Sequence, residues 1–258
     1  MIVVLVGACT TRVPAHESDS ETQWVATWGT AVQLVEPHNM PPEPGLEGNM
    51  LRQIVRVSLG GSRLRIRFSN EFGNGPVTLR AVRLASSEGG GRIDPITDEA
   101  LLFGDEPSVT LEAGSTVISD PVAFELGPRS ELAISVEFGD VPAAVTGHPG
   151  SRTTSYIVEG AASSETDWSD AVRAERWYFI ERIDVEAPPS AGAVVTLGNS
   201  ITDGRGSGTD RQNRWPDELA RRLQRDAHTE HVAVVNMGIG GNCVLRDCLG
   251  QPALARFE

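Results

Sequence analysis

The two prolines of Glu186-Ala-Pro-Pro-Ser-Ala-Gly192 constrain the fold more than any other feature of the chain. Neither can donate to a strand ladder, and Gly192 frees the backbone to turn, so no single sheet is expected to run through this point. Upstream, short apolar-polar alternations are separated by Gly, Pro, Asn and Asp. The clearest is Arg63 to Ser69. There Leu64, Ile66 and Phe68 alternate with Arg63, Arg65 and Arg67, as in a half-buried strand with one wet face. Leu132, Ile134, Val136 and Phe138 alternate with Ala133, Ser135 and Glu137 in the same way. Leu51, Val55, Val57 and Leu59 share a face around Gln53. Between Val77 and Leu84 the apolar phase slips after Ala81, which predicts a bulge. Trp177, Phe179, Ile183 and Val185 mark a last strand. The 27 glycines and 16 prolines among 258 residues supply the turns that many short strands need. Residues 23–186 are therefore expected to form an all-β sandwich of jelly-roll type, followed by a linker at 187–192.

After the linker the pattern changes. Ala193 to Leu197 is a continuous apolar run, which predicts a strand buried on both faces of a parallel sheet. A helix should follow, with Pro216 near its first turn, Asp217 and Glu218 early, and Arg221, Arg222 and Arg225 late, charges that suit the helix dipole. Trp215, Leu219 and Leu223 recur every four residues and predict its buried stripe. His231 to Met237 reads as a second apolar strand. Strand, helix, strand is one βαβ unit, so the chain is expected to be multidomain, with residues 193–258 opening an α/β domain.

Charge and composition exclude several functions. The formal net charge is −13 and every basic residue is arginine. No arginine-rich run rises above the acidic background, which argues against a nucleic-acid partner. Without lysine there is no Schiff base and no P-loop lysine. No Cys/His cluster has zinc spacing, and no metal or organic cofactor is implied. Met1 to Ala8 is apolar but too short to span a bilayer. Val6-Gly7-Ala8-Cys9 resembles a bacterial lipobox, and a polar stretch from Thr10 to Thr22 follows it like a tether. Residues 1–22 are read as a signal remnant and tether. That predicts an exported periplasmic or cell-surface lipoprotein, anchored to the membrane through lipid on Cys9. The alternative is a chance apolar start with a free cysteine. Cys243 and Cys248 are disulfide candidates if the chain is exported and turns at Arg246-Asp247; in the cytosol they would stay reduced.

Two loops carry the chemistry. Gly198-Asn199-Ser200-Ile201-Thr202-Asp203-Gly204 follows the first parallel strand, so Ser200 lies at the carboxyl end of that strand, where open α/β sheets place their ligand crevice. Its hydroxyl could attack an ester carbonyl if a base activates it, with backbone N–H groups of the turn receiving the oxyanion. The bland reading is an ordinary turn in which Ser200 or Thr202 caps a helix. Asn236-Met237-Gly238-Ile239-Gly240-Gly241-Asn242 follows the second strand and should reach the same rim. Other candidates carry less. His228 and His231 fall at the opposite rim, about one strand length from Ser200. His148-Pro-Gly-Ser-Arg152 lies in a loop that would line the crevice if the two domains pack closely; the plainer reading is a simple connection, and Trp24 and Trp28 read as core residues.

Together the two loops resemble the SGNH hydrolases, also called the GDSL esterase/lipase family. The first block of that family reads Gly-Asp-Ser, then Leu or Ile, often then Thr-Asp-Gly; Gly198 to Gly204 matches with Asn199 in place of Asp. The second reads Asn-x-Gly-x-x-Gly, matched by Asn236, Gly238 and Gly241. Arg214-Trp215-Pro216 and the stretch Gly250 to Phe257 look like the branch with an N-terminal β-sandwich. The resemblance implies a flavodoxin-like parallel sheet, Ser200 as nucleophile, and an oxyanion hole that includes Gly241. It also implies a small-molecule or carbohydrate substrate, a short-chain acyl or O-acetyl ester. The family's Gly-x-Asn-Asp and Asp-x-x-His blocks, which supply a further oxyanion donor and the base, do not follow residue 242. The chain thus reads as a fragment, with little activity expected on its own. A second reading is a non-catalytic surface lipoprotein whose sandwich binds a glycan or a protein.

Overall fold

The computed structural model describes residues 22–160 and 165–257. Cys9 and most of the proposed tether lie outside the described residues. Strand makes up 43% of the described residues and helix 10%, so they are mostly β.

Two antiparallel sheets enclose the main core. The first runs in the order Gln23–Gly29, Ile180–Ala187, Gly61–Ser69, Val122–Leu126, and Thr116–Ile118 also pairs with Gly61–Ser69. The second runs Val172–Ala174, Ser155–Val158, Met50–Arg56, Glu131–Phe138, Val77–Gly89, Arg92–Ile93. Leu64, Ile66 and Phe68 from one sheet and Leu132, Ile134, Val136 and Phe138 from the other lie in a single buried cluster. Period-2 alternation produces this directly, because successive side chains point to opposite faces. On the outer face of the first sheet, Arg63, Arg65 and Arg67 reach across to Glu186, Asp184 and Glu181 at 3.0, 3.1 and 3.0 Å. The bulge sits at Arg80: Glu137 pairs with Ala81 and Phe138 with Leu79.

Gln53 shares the inward face with Leu51 and Val55 but is fully buried and polar. Its side chain accepts a hydrogen bond from Tyr178 N at 2.6 Å and donates to Tyr178 O at 3.0 Å. Tyr178 lies in a third set of strands, Gln33–Leu34, Thr146–His148 and Trp177–Tyr178, so Gln53 stitches this set to the second sheet.

The prolines separate Ile180–Ala187 from Gly192–Gly198. The intervening chain is held in place, since Gln23 Nε2 donates to the carbonyls of Pro189 at 3.1 Å and Ala191 at 2.7 Å. Gly192–Gly198 pairs in parallel with Val232–Gly238, from Gly192 opposite Val232 to Gly198 opposite Gly238. Two expectations for this region need correction. The run Ala193 to Leu197 is not buried on both faces: Val194, Val195 and Leu197 are exposed, and only Thr196 is buried. The described parallel sheet has only two strands, and burial falls on Ala233, Val234 and Val235 of the partner strand, which packs beside Gln23–Gly29. The helix Trp215–Leu223 forms with Pro216 in its first turn, but its buried residues are Pro216 and Ala220. Trp215 faces solvent, because the helix docks along the face of Pro216 and Ala220 rather than along the stripe at 215, 219 and 223.

Replacing Gln53 with Leu keeps the volume but leaves Tyr178 N–H and C=O without their buried partner. We expect a loss of about 2–4 kcal/mol, since each stranded polar group costs about 1–3 kcal/mol. Urea unfolding followed by tryptophan fluorescence would measure it; an unchanged midpoint would show that the stitch contributes nothing.

Candidate active site

The loop after Gly192–Gly198 turns at once into the short helix Ser200–Asp203. Two glycines make this possible. A Cβ on Gly198 would overlap the Thr202 side chain, and one on Gly238 would overlap the backbone of Asp203. The two strand ends can therefore close onto the helix turn only without side chains. Asn199 is extended and caps the turn by accepting from Ile201 N–H at 3.5 Å. Asn236 joins the two loops: its Nδ2 donates to Thr202 O at 2.9 Å and its Oδ1 accepts from Gly238 N–H at 3.0 Å. Ile239 N–H reaches Gly198 O at 3.1 Å.

Gly241 has φ +71°, in the left-handed region, and a Cβ there would meet Leu249. Its loop is held by several bonds. Asn242 Nδ2 donates to the carbonyls of Leu249 and Gln251 at 2.8 and 2.7 Å, and Arg256 donates to Met237 O and to Asn242 Oδ1. Cys243 and Cys248 are joined in a disulfide with their Cα atoms 5.6 Å apart.

The site is closed from the other side by the 148–152 segment, which lines the cleft with Ser200 and Gly241. His148, read above as part of a plain connection, is buried. Its Nε2 lies 2.9 Å from Asp203 Oδ1 and its Nδ1 2.8 Å from Ala31 O. A carbonyl can only accept, so Nδ1 carries a hydrogen. The other nitrogen faces the Asp203 carboxylate. Asp203 is buried too, in a pocket of small residues, and a Cβ on Gly150 would overlap its carboxylate. The residues that fasten the 148–155 segment to the loop after Ser200 are thus Gly150 and His148 at one end and Thr154 at the other. Thr154 donates from N–H and Oγ1 to the two oxygens of Asp210, both at 2.7 Å.

Arg214 completes the seam. It is buried, donates from Nη2 to Ser151 O, and lies over the Trp177 ring at 5.2 Å. Burial pushes its pKa below the usual arginine range, Arg152 pushes the same way, and Asp217 and Asp203 oppose the shift. Burial conversely pushes the Asp217 carboxyl up, against the pull of Arg214, whose backbone N–H it accepts at 2.9 Å.

Ser200 and Gly241 line one cleft of about 610 Å³. Its other wall comes from the two-sheet body: Gln33, Glu36, His38, Asn39, Arg152 and Arg176. Among the described residues, none makes a hydrogen bond to Ser200 Oγ, and both nitrogens of His148 are already engaged. His228 and His231 lie at the far end of the parallel strands.

Residues 194–255 match the family model described as GDSL-like Lipase/Acylhydrolase. The matched span contains both loops and supports a hydrolase of the SGNH kind. No curated protein matches the chain.

The His148–Asp203 pair makes a direct prediction. His148→Ala would leave a buried carboxylate without its donor, and removing one partner of a buried pair costs about 3–5 kcal/mol. We expect early proteolytic cleavage between residues 187 and 215, with the 23–186 region surviving longer. A proteolysis pattern identical to that of the parent chain would overturn this.

Proposed function

We propose that this chain carries the nucleophile site of a serine ester hydrolase of the SGNH kind, acting on short-chain acyl or O-acetyl esters. The observation that carries the reading is that Ser200, at the carboxyl end of a parallel strand, and Gly241, on the next strand's loop, line the same cleft. In the proposed reaction Ser200 Oγ attacks the ester carbonyl and its proton passes to a base. The carbonyl oxygen becomes an oxyanion facing N–H groups of the two loops, Gly241 among them. Collapse expels the alcohol, which takes up the proton, and leaves an acyl-Ser200 that water then hydrolyses. The two-sheet body would form one wall of the substrate site. A disulfide at Cys243–Cys248 suits an oxidising compartment, in keeping with an exported lipoprotein anchored through Cys9.

The second reading, a non-catalytic surface protein that binds a glycan or protein, draws support from Ser200 having no hydrogen-bonded base among the described residues. The two separate by chemical rescue. If Ser200 has an oxyanion hole but no base, free imidazole should serve as one. We expect little turnover of p-nitrophenyl acetate alone, and an imidazole-dependent rate above the protein-free imidazole background that Ser200→Ala abolishes. The gain should approach part of the roughly 10²–10⁴-fold that a positioned base supplies. Equal imidazole-dependent rates for the parent chain and Ser200→Ala would favour the binding protein.

A further inference from the structure

The charge on the cleft does not match the charge on the protein. The chain as a whole is −13, yet Arg152, Arg176 and Arg205 all line the cleft that holds Ser200. Among the described residues, no carboxylate lies within 4.0 Å of any of the three guanidinium groups, whereas Arg56, Arg65 and Arg83 on the sheets are each paired in this way. The cleft's own acids are already engaged. Asp203 is bound to His148, and the two oxygens of Glu36 accept from Gln33 Nε2 and Asn39 Nδ2, both at 2.9 Å.

Arg176 is also held ready for a ligand. Its Nε donates to Asn39 Oδ1 at 2.8 Å, its Nη1 donates to Glu175 O at 2.8 Å, and Asn39 is fixed in turn by Glu36 and by Tyr178 Oη on its carbonyl. Nη2 has no partner among the described residues. Arg152 projects from a left-handed residue, φ +52°, and its Nε is buried without a hydrogen-bond partner. Arg205 is exposed, and its backbone N–H donates to Ser200 O at 2.7 Å, so its guanidinium starts within one turn of the nucleophile. The unpartnered Nη2 of a guanidinium held in place as that of Arg176 is can donate to a carboxylate with little loss of entropy on binding.

We infer that the cleft takes an ester that bears a carboxylate, with the carboxylate on Arg152 and Arg176 and the ester toward Ser200. The inference rests on the hydrolase reading for the ester, but not for the carboxylate, so the two can fail separately. The probes are D-galacturonate and D-galactose, which share a ring and differ in a carboxylate for a CH2OH group. Both are titrated onto the full chain by saturation-transfer NMR. Galacturonate is expected to bind at least about tenfold tighter, the worth of one charge-assisted pair. Arg152→Gln should bring its affinity down to that of galactose, and added salt should weaken it. Arg205→Gln, at an exposed side chain with no hydrogen bond to any described residue, is the companion variant with little risk to folding and should lower affinity through the loss of a cleft charge.

Equal affinity for the two sugars, no binding of either, or galacturonate binding indifferent to both arginine substitutions would overturn the inference. Galacturonate binding without imidazole-dependent hydrolysis would keep the anionic cleft and discard the esterase. Hydrolysis without a preference for the carboxylate would do the reverse.

Discussion

Everything at the site depends on one buried hydrogen bond between chain regions that share no local pattern. Asp203 lies three residues beyond Ser200 on the same helical turn, and its carboxylate is out of water. An unpartnered carboxylate in that position would be costly, so the turn can sit against the two-sheet body only because His148 meets it. His148 is itself fixed by Ala31 O and packs beside Trp177, which in turn stacks edge-on against Trp28. The orientation of the serine loop is thereby tied to the interior of the antiparallel sheets. The wall facing Ser200 is built into the fold as firmly as the serine's own strand.

Small residues let that wall close. Gly150 admits the Asp203 carboxylate, Gly198 and Gly238 admit the helix turn, and Gly29 faces Val235 across the seam. Polar groups then satisfy the backbone where the two regions meet without sharing a ladder. Ser58 Oγ accepts from Val234 N–H at 2.9 Å and donates to Thr27 O at 2.6 Å, so one hydroxyl bridges the edge strand and the parallel pair. Desolvation at the seam shows in Arg214, whose charge is tolerated through Trp177, Ser151 and the neighbouring acids.

How much of this was legible in the sequence follows from the range of each interaction. Alternation at Leu64, Ile66 and Phe68 is local, and burial follows it residue by residue. The Gly198–Gly204 and Asn236–Asn242 loops are local too, so their placement at two adjacent strand ends could be read from the apolar runs before them. Periodicity says nothing, however, about which neighbours a strand has. The run Ala193 to Leu197 looks fully buried as a string, yet Val195 is 60% exposed because burial needs a covering element as well as apolar side chains. The helix stripe failed for a similar reason: docking geometry selected Pro216 and Ala220. His148 was illegible because its partner is 55 residues away and a lone histidine before Pro-Gly looks like any turn. The 148–152 loop could be placed at the crevice only on the condition that the domains pack closely, and nothing in the string pointed His148 at Asp203.

The seam also imposes an order on how the molecule comes together. Its contacts join residues far apart in the chain: 55 positions between His148 and Asp203, and 176 between Ser58 and Val234. Closing such loops costs entropy before any contact rewards it, and contacts of this range are the slow ones in folding. Emerging from the ribosome amino-terminus first, the antiparallel sheets have all their own partners before Asp203 exists to be captured. The nucleophile loop therefore acquires its surroundings after the sheets have formed, and the sheets act as an intramolecular template on which it is set.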